Sequence, residues 1–287
     1  MSTEQIVVGV DASAVSWLAL RWATAEAVRR GVSLRIVHAF HAHLPDVAYN
    51  VLQAEANALK QATAVVDDAV EDVRRRAPGV DVRTETVSGG AAAALLEAAR
   101  PGDLVVVGNR GHSELAATLA GSTCQQVAMH APASVAVIRP QMRAEAGPVV
   151  VGHDGSRTAE AVLLTAFDQA DARDCGLVVV RAFRPSTPPW PAGAPSPTLF
   201  TAATAQAALT VGLERVVAPL TDRYPKVKVE VRVAGGDPAQ LLVEASRTAR
   251  LVVVGSRGHG GFTGLLLGSV GLHLLHHAQC GVLISRP

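Results

Sequence analysis

The 287-residue sequence has little lysine, little cysteine and few aromatic residues. No lysine follows a glycine, so the GxxxxGK[ST] motif of P-loop proteins is absent. The three cysteines have no CxxC spacing, which predicts free thiols in a reducing compartment. Aromatic residues make up 3% of the chain, so its hydrophobic core must consist mainly of valine, leucine and alanine.

Charge and hydropathy argue against two classes of partner. The net charge is +1, which is too balanced for a protein whose main ligand is a nucleic acid. Residues 258–285 contain no Asp, Glu, Lys or Arg, but their longest apolar run is three leucines, whereas a membrane span needs about 20 apolar residues. Acidic residues near the start, Glu4 and Asp11, are unlike a signal peptide. We therefore expect a cytoplasmic protein that binds neither nucleic acid nor membrane.

The sequence repeats itself once. Residues 6–13 (IVVGVDAS) align with 149–156 (VVVGHDGS), and residues 89–112 align with 236–259. A period near 145 residues is too long for a solenoid unit and predicts a duplicated domain. We place the first domain at residues 1–141 and the second at 147–287.

Each half alternates short apolar runs with helical patterns. Strands joined by helical crossovers form a parallel sheet that is covered on both faces. We therefore predict an α/β fold with two tandem, open, five-stranded parallel-sheet domains of Rossmann-type architecture. The predicted strands of the first half are 6–10, 34–40, 82–87, 104–108 and 134–139.

A glycine-rich loop follows the fourth predicted strand of each half, where open parallel sheets bind ligands. Its spacing, G-x2-G-x9-G-S, occurs at residues 108–122 and again at 255–269. Glycines let backbone N–H groups converge on an anion, and a Gly-Ser pair that opens a helix adds the positive end of the helix dipole. Arg110 and Arg257 can add charge-assisted hydrogen bonds. The pattern predicts a phosphate-binding loop that needs no lysine.

A second loop follows the first strand of each half and carries an aspartate, Asp11 or Asp154. A carboxylate accepts hydrogen bonds from ribose hydroxyls or from an adenine edge, but it repels phosphate. Together the two loops predict a nucleotide site. In the alternative interpretation, the aspartates only cap helices and the glycines only form turns. The joint repetition of both loops favours the nucleotide site.

These motifs resemble the universal stress protein family over nearly all 287 residues. The resemblance is carried by VGVDAS and VGHDGS, by VVVGNRGH and VVVGSRGH, by both glycine spacings, and by the closing segments HAPASVAVIRP and HAQCGVLISRP. The chain is similar to tandem-domain members of the ATP-binding branch. The resemblance implies an adenine-nucleotide-hydrolase-like fold that binds ATP, with Mg²⁺ held through the phosphates.

The resemblance also implies which residues contact ATP. The aspartates meet the adenine or ribose, residues at strand ends flank the base, and the glycine loops hold the phosphates. The implied contacts of the first half are Gly9, Asp11, Ala39, Val107, Gly108, Asn109, Arg110, Gly111, Gly121, Ser122 and Thr123. Those of the second half are Gly152, Asp154, Ala182, Val254, Gly255, Ser256, Arg257, Gly258, Gly268, Ser269, Val270 and Gly271.

Three functions stay open at this point. The favoured one is a nucleotide-dependent regulator of the stress response with one ATP site per domain and no catalytic residue assigned. The alternatives are a slow ATPase or autophosphorylating enzyme of the same fold, and a structural dimerisation module with vestigial sites. The last strand of each half is apolar and at a sheet edge that must be paired or covered, and pairing of the two halves with each other would satisfy both edges. The resemblance adds a homodimer through last-strand edges. The sequence identifies no downstream protein partner.

Two weaker signals, the histidine clusters and Cys124, are each explained without a metal or redox site. Two histidine clusters lack an acidic or cysteine partner at a recognisable spacing, so no metal site is predicted. Cys124 lies near a predicted helix start, where a thiolate is stabilised, but a small core residue is the favoured interpretation. The clustered histidines are His38, His41, His43, His273, His276 and His277.

Overall fold

The computed structural model describes residues 4–41, 51–111, 120–140, 147–184, 202–258 and 267–286. The chain forms two compact units. Unit 1 consists of Met1–Gln141, Leu275–His277 and Gly281–Pro287. Unit 2 consists of Met142–Leu274 and Ala278–Cys280.

Unit 1 is built on a largely parallel sheet. In chain order its elements are β1 (Gln5–Gly9), α1 (Ala14–Arg30), β2 (Ser33–Phe40), α2 (Val51–Arg76), β3 (Val82–Ser88), α3 (Ala91–Ala98), β4 (Leu104–Gly108), α4 (Ser122–His130) and β5 (Ser134–Ile138). The strands lie side by side in the order β3, β2, β1, β4 and β5, and neighbouring strands pair in parallel.

The central strands of unit 1 are buried on both faces. Ile6, Val7 and Val8 of β1 have no exposed surface. Because successive side chains of a strand point to opposite faces, helices must cover both sides of the sheet. The short apolar runs of the sequence therefore mark buried parallel strands, and the predicted α/β fold is confirmed.

Local sequence signals explain where helix α1 begins and ends. The Ser13 side chain accepts a hydrogen bond from the backbone N–H of Ser16 at 3.2 Å, which satisfies one of the donors left open at the helix start. Gly31 ends the helix with φ 64°, a left-handed conformation that glycine adopts without steric cost.

Unit 2 repeats four of the five strands of this arrangement. Its elements are β6 (Val149–Gly152), α5 (Ala159–Asp171), β7 (Leu177–Phe183), α6 (Ala202–Arg223), β8 (Val229–Gly235), α7 (Pro238–Ala245), β9 (Leu251–Gly255) and the start of α8 (Ser269–His277). Strands β9, β6, β7 and β8 lie side by side in that order and pair in parallel.

The last strand, β10 (Gly281–Ser285), belongs to unit 1 although the sequence repeat would place it in the second domain. It pairs antiparallel with β5, so its backbone hydrogen bonds satisfy the outer edge of that strand. Arg286 follows it and donates hydrogen bonds to the carbonyl oxygens of Ala128 at 2.6 Å and Ala133 at 3.2 Å. These contacts hold the end of α4 against the end of β10.

None of the described helices combines the length and hydropathy that a membrane-spanning segment needs. In the part of the chain that the structure describes, no group of three His, Cys, Asp or Glu side chains is arranged to hold a metal ion. His43 lies outside the described residues, as do 112–119 and 259–266 of the two glycine loops.

Candidate functional site

In each unit the aspartate loop and the glycine loop meet at the carboxyl ends of adjacent parallel strands. A Cβ added to Gly111 would lie 2.3 Å from Oδ2 of Asp11. In unit 2, a Cβ added to Gly258 would lie 2.7 Å from Oδ2 of Asp154. In both units, therefore, the carboxylate lies so close to the glycine that the Cβ of any other residue there would clash with it.

A cavity of about 330 Å³ lies between these loops in unit 1. Among the predicted contacts of the first half, Asn109 alone is outside its lining. The lining residues that had been predicted are Gly9, Asp11, Ala39, Val107, Gly108, Arg110, Gly111, Gly121, Ser122 and Thr123. Those that sequence reasoning missed are Val10, Ser16, Val37, Ala91, Leu95 and Cys124.

Asn109 shapes the glycine loop through its backbone. Its N–H donates to the carbonyl of Ile138 at 2.8 Å, and its carbonyl accepts from the N–H of Gly121 at 2.8 Å. The residue is 3% exposed, and its Oδ1 has no hydrogen-bond partner among the described residues. Asn109 therefore closes the loop that surrounds the cavity and does not line it.

Helix α4 begins at this cavity without a capping side chain. Gly121 occupies its N-cap position, and no acidic residue lies in its first turn. The first backbone hydrogen bond runs from the N–H of Gln125 to the carbonyl of Gly121 at 3.0 Å. The N–H groups of the first turn, at Ser122 and Thr123, have no partner within the helix. A helix start of this kind attracts an anion through these donors and through the helix dipole.

Helix α8 begins in the same way. Gly268 is its N-cap, with no capping side chain, and its N–H donates to the carbonyl of Ser256 at 2.8 Å. The first backbone hydrogen bond of the helix runs from the N–H of Leu272 to the carbonyl of Gly268 at 3.0 Å. The two helix starts that follow the glycine loops therefore have the same backbone geometry.

Neither aspartate occupies the N-cap position of a helix. Oδ1 of Asp11 accepts from the N–H of Ser13 at 3.0 Å and from its hydroxyl at 2.5 Å, and Ser13 itself is the N-cap. Oδ1 of Asp154 accepts from the N–H of Ser156 at 2.9 Å, and the N-cap position of α5 is Thr158. In both units Oδ1 fixes the aspartate loop, while Oδ2 faces the glycine loop.

The cavity of unit 2 is larger, at about 650 Å³. Ser256 is the predicted contact that does not line it. The predicted residues in its lining are Gly152, Asp154, Ala182, Val254, Gly255, Arg257, Gly258, Gly268, Ser269, Val270 and Gly271. Sequence reasoning missed His153, Ser156, Thr158, Ala159, Val162, Val180, Phe183, Arg184, Gly236, Pro238 and Leu242.

His153 is the most unusual of the missed residues. It is 6% exposed, and neither ring nitrogen has a hydrogen-bond partner in the described part of the chain. Burial and the nearby Arg181 guanidinium lower its pKa, while Asp154, Glu160 and the backbone of His153 itself oppose that shift. The imidazole is therefore neutral at neutral pH. Alignment of the two repeats could have identified it, because the first repeat has Val10 at this position.

Cys124 lines the first cavity but has none of the properties of a reactive thiol. Its side chain is 2% exposed. Burial raises the pKa of the thiol to about 12, against a smaller opposing effect of Arg139. The burial and the raised pKa support the favoured interpretation of Cys124 as a core residue.

One arginine from each glycine loop reaches its cavity, Arg110 in unit 1 and Arg257 in unit 2. The second cavity has a further guanidinium, that of Arg184, which forms an exposed ion pair with Asp237 at 3.4 Å. A cation beside a helix start complements a polyanion such as a phosphate chain.

Comparison with known proteins identifies a single family. The model of the universal stress protein family matches residues 2–139 and 146–286. A universal stress protein of Mycolicibacterium smegmatis is 35% identical over 290 residues, covering 98% of this chain and 97% of the relative. One from Mycobacterium tuberculosis is 34% identical over 297 residues, covering 98% and 96%. The crystal structure of a universal stress protein from Archaeoglobus fulgidus has a TM-score of 0.71 at 16% identity, covering 98% and 96%, which bears on the fold alone.

Proposed function

Because this chain belongs to the universal stress protein family, we propose that it is a cytoplasmic, ATP-binding regulator of the stress response with one nucleotide site in each unit. The observation that carries the proposal is the same in both units. An aspartate, a glycine loop and an uncapped helix start border one cavity at the carboxyl ends of the strands.

The donor set fits a triphosphate at one end of each cavity and a nucleoside at the other. First-turn N–H groups of α4 and α8, together with Arg110 and Arg257, would bind the phosphates. Asp11 and Asp154 would accept hydrogen bonds from the adenosine. Mg²⁺ would be held through the phosphates. Both cavity volumes lie in the range of about 300–1,000 Å³ that is usual for ligand pockets.

The side chains around the cavities favour binding over turnover. Among the described lining residues, each cavity has a single carboxylate, Asp11 or Asp154. Metal-assisted phosphoryl transfer relies on several metal ligands and on a residue that orients the nucleophile. This supports a regulator over an enzyme with rapid turnover.

The test is nucleotide stoichiometry by native mass spectrometry and titration calorimetry. We expect two ATP per wild-type chain, and one in Gly121→Ala or Gly268→Ala, because the added methyl group obstructs the approach of phosphate to the backbone. The protein itself tolerates these changes, since the nearest atoms to the new Cβ lie 3.5 Å and 3.6 Å away. Gly212→Ala in α6, with no atom within 4 Å of its Cβ, is the matched control and should keep both sites.

Two results would overturn the proposal. One is a wild-type chain that binds no ATP at millimolar concentration, and the other is retention of two ATP by both site variants. Rapid release of ADP, or of AMP and pyrophosphate, in the same samples would identify an enzyme.

The homodimer through last-strand edges stays a prediction. In unit 1, β10 already satisfies the hydrogen bonds at the outer edge of β5. Sedimentation equilibrium at micromolar concentration measures the mass directly, and a monomer would contradict the dimer.

A further inference from the structure

The cavity of unit 2 extends along the start of helix α5. This helix begins at Ala159, which aligns with Ser16 of the first repeat, whereas α1 begins two residues earlier at Ala14. In unit 1, Ser16 is the one described residue of α1 that lines the cavity. The extension in unit 2, called the α5 lobe below, is lined by Ser156, Thr158, Ala159 and Val162.

His153 lies beside the α5 lobe. Its neighbour in the chain, Gly152, faces α7, because an added Cβ there would lie 2.9 Å from Leu242. Successive side chains of a strand point to opposite faces, so His153 points to the face on which α5 packs. Glu160 of α5 is one of the charges that act on the imidazole, which agrees with this orientation.

Among the described residues of the first repeat, no buried imidazole has both ring nitrogens without a partner. Val10 occupies the position of His153, and the buried His38 beside it has Nδ1 2.7 Å from the Val10 carbonyl oxygen. A buried polar group without a partner destabilises a fold, and native proteins keep few of them. The two unpartnered nitrogens of His153 therefore need a partner from outside the described protein atoms.

We propose that the α5 lobe is a subsite for a sugar hydroxyl of the bound nucleotide and that His153 is its specificity-determining residue. The inference rests on the proposed nucleotide function and deepens it, since it makes the second site selective for ribose and the first site not. Asp154, the next residue, is the one expected to meet the adenosine.

The chemistry of the lobe matches a hydroxyl better than a phosphate. A neutral imidazole has one donor and one acceptor, and a hydroxyl offers the complementary pair. The hydroxyls of Ser156 and Thr158, 3.1 Å apart, extend the polar lining. The carboxylates of Asp154 and Glu160 act on the imidazole and offset the charge of Arg181, which disfavours a further anion.

The experiment compares ATP, 2′-deoxy-ATP and 3′-deoxy-ATP by titration calorimetry in the Gly121→Ala background, where the second site is measured alone. We expect one of the two deoxy nucleotides to bind about tenfold more weakly than ATP. His153→Val, which installs the residue of the first repeat, should weaken ATP about tenfold and abolish the difference. His153→Gln keeps a donor and an acceptor and should restore part of the difference.

Unfolding in urea provides the readout that separates this role from a structural one. Without nucleotide, His153→Val should unfold at the same or a higher urea concentration than the parent, because it removes an unpartnered buried polar group. Equal binding of all three nucleotides, or an unchanged difference in His153→Val, would refute the subsite and leave the proposed function intact. A parent protein that binds no ATP would refute the proposed function itself.

Discussion

The approach of Asp11 to Gly111 in unit 1 gives a direct test of the site geometry. A Cβ on Gly111 would lie 2.3 Å from Oδ2 of Asp11, whereas ordinary van der Waals contact begins near 3.4 Å. In Gly111→Ala, the carboxylate or the loop must therefore move by roughly 1 Å. Asp11 has little freedom to do so, since Oδ1 accepts hydrogen bonds from the N–H and the hydroxyl of Ser13 at 3.0 and 2.5 Å.

The expected cost follows from those two bonds. Hydrogen bonds to a charged group contribute about 1.5–3 kcal/mol each, and overpacking a close contact costs about 1–3 kcal/mol. Losing or distorting one bond while the loop adjusts predicts a fall of about 2 kcal/mol in the free energy of unfolding. Gly121→Ala, whose new Cβ meets nothing closer than 3.5 Å, should lower it by about 1 kcal/mol or less, because alanine is a poorer N-cap residue than glycine.

The assay is urea unfolding of the full chain. Both variants are then titrated with ATP in buffer without urea. Gly111→Ala should lose both stability and first-site binding, while Gly121→Ala should lose first-site binding with a clearly smaller loss of stability. If Gly111→Ala unfolds at the wild-type urea concentration and still binds two nucleotides, Asp11 is not held against Gly111 as described.

Three further predictions concern positions beside the sites. Arg286→Met removes the hydrogen bonds to the carbonyls that end α4, and should lower the free energy of unfolding in urea by about 2 kcal/mol. With a pKa of about 12, only about one Cys124 thiol in ten thousand is ionised at pH 8, so mass spectrometry should find iodoacetamide on the partly exposed Cys175 long before Cys124. Ala12 has φ 63°, so Ala12→Gly should raise the free energy of unfolding, measured by thermal unfolding, by about 0.5–1 kcal/mol. An unchanged or lower stability would contradict a strained backbone at this position.

The sequence predicted those features that depend on short, local patterns. Strand β4 was expected at 104–108 and lies at Leu104–Gly108, because a run of apolar residues between turn signals has few other places to be buried. Helix α2, expected at 51–76, has those bounds, with Pro78 and Gly79 beyond its end. Most predicted contacts line a cavity, because glycines and strand ends recur in register in both repeats.

Other features depend on tertiary packing, which short sequence patterns do not determine. Asn109 and Ser256 follow a strand directly, and sequence alone does not say whether such a residue turns towards the cavity or away from it. The antiparallel pairing of β10 with β5 in unit 1 is the mutual pairing that their apolar edges predict, but its direction and register depend on contacts between residues more than a hundred positions apart. Helix α5 begins two aligned positions later than α1, and its start lines the second cavity, although the aspartate loop before it is aligned without a gap.

The aspartate loop keeps its backbone even where its residues make that backbone costly. Gly155 has φ 79° in the second repeat, and Ala12 has φ 63° in the first, where a side chain costs about 1–2 kcal/mol. Strain of this kind persists where surrounding contacts over-determine the conformation. Here those contacts are the two hydrogen bonds that Ser13 donates to Oδ1 of Asp11. They also leave Oδ2 of Asp11 facing the glycine loop. Capping of α1 does not require Asp11, because Ser13 already caps that helix. The strained turn is therefore best explained by the position that it gives to the carboxylate of Asp11.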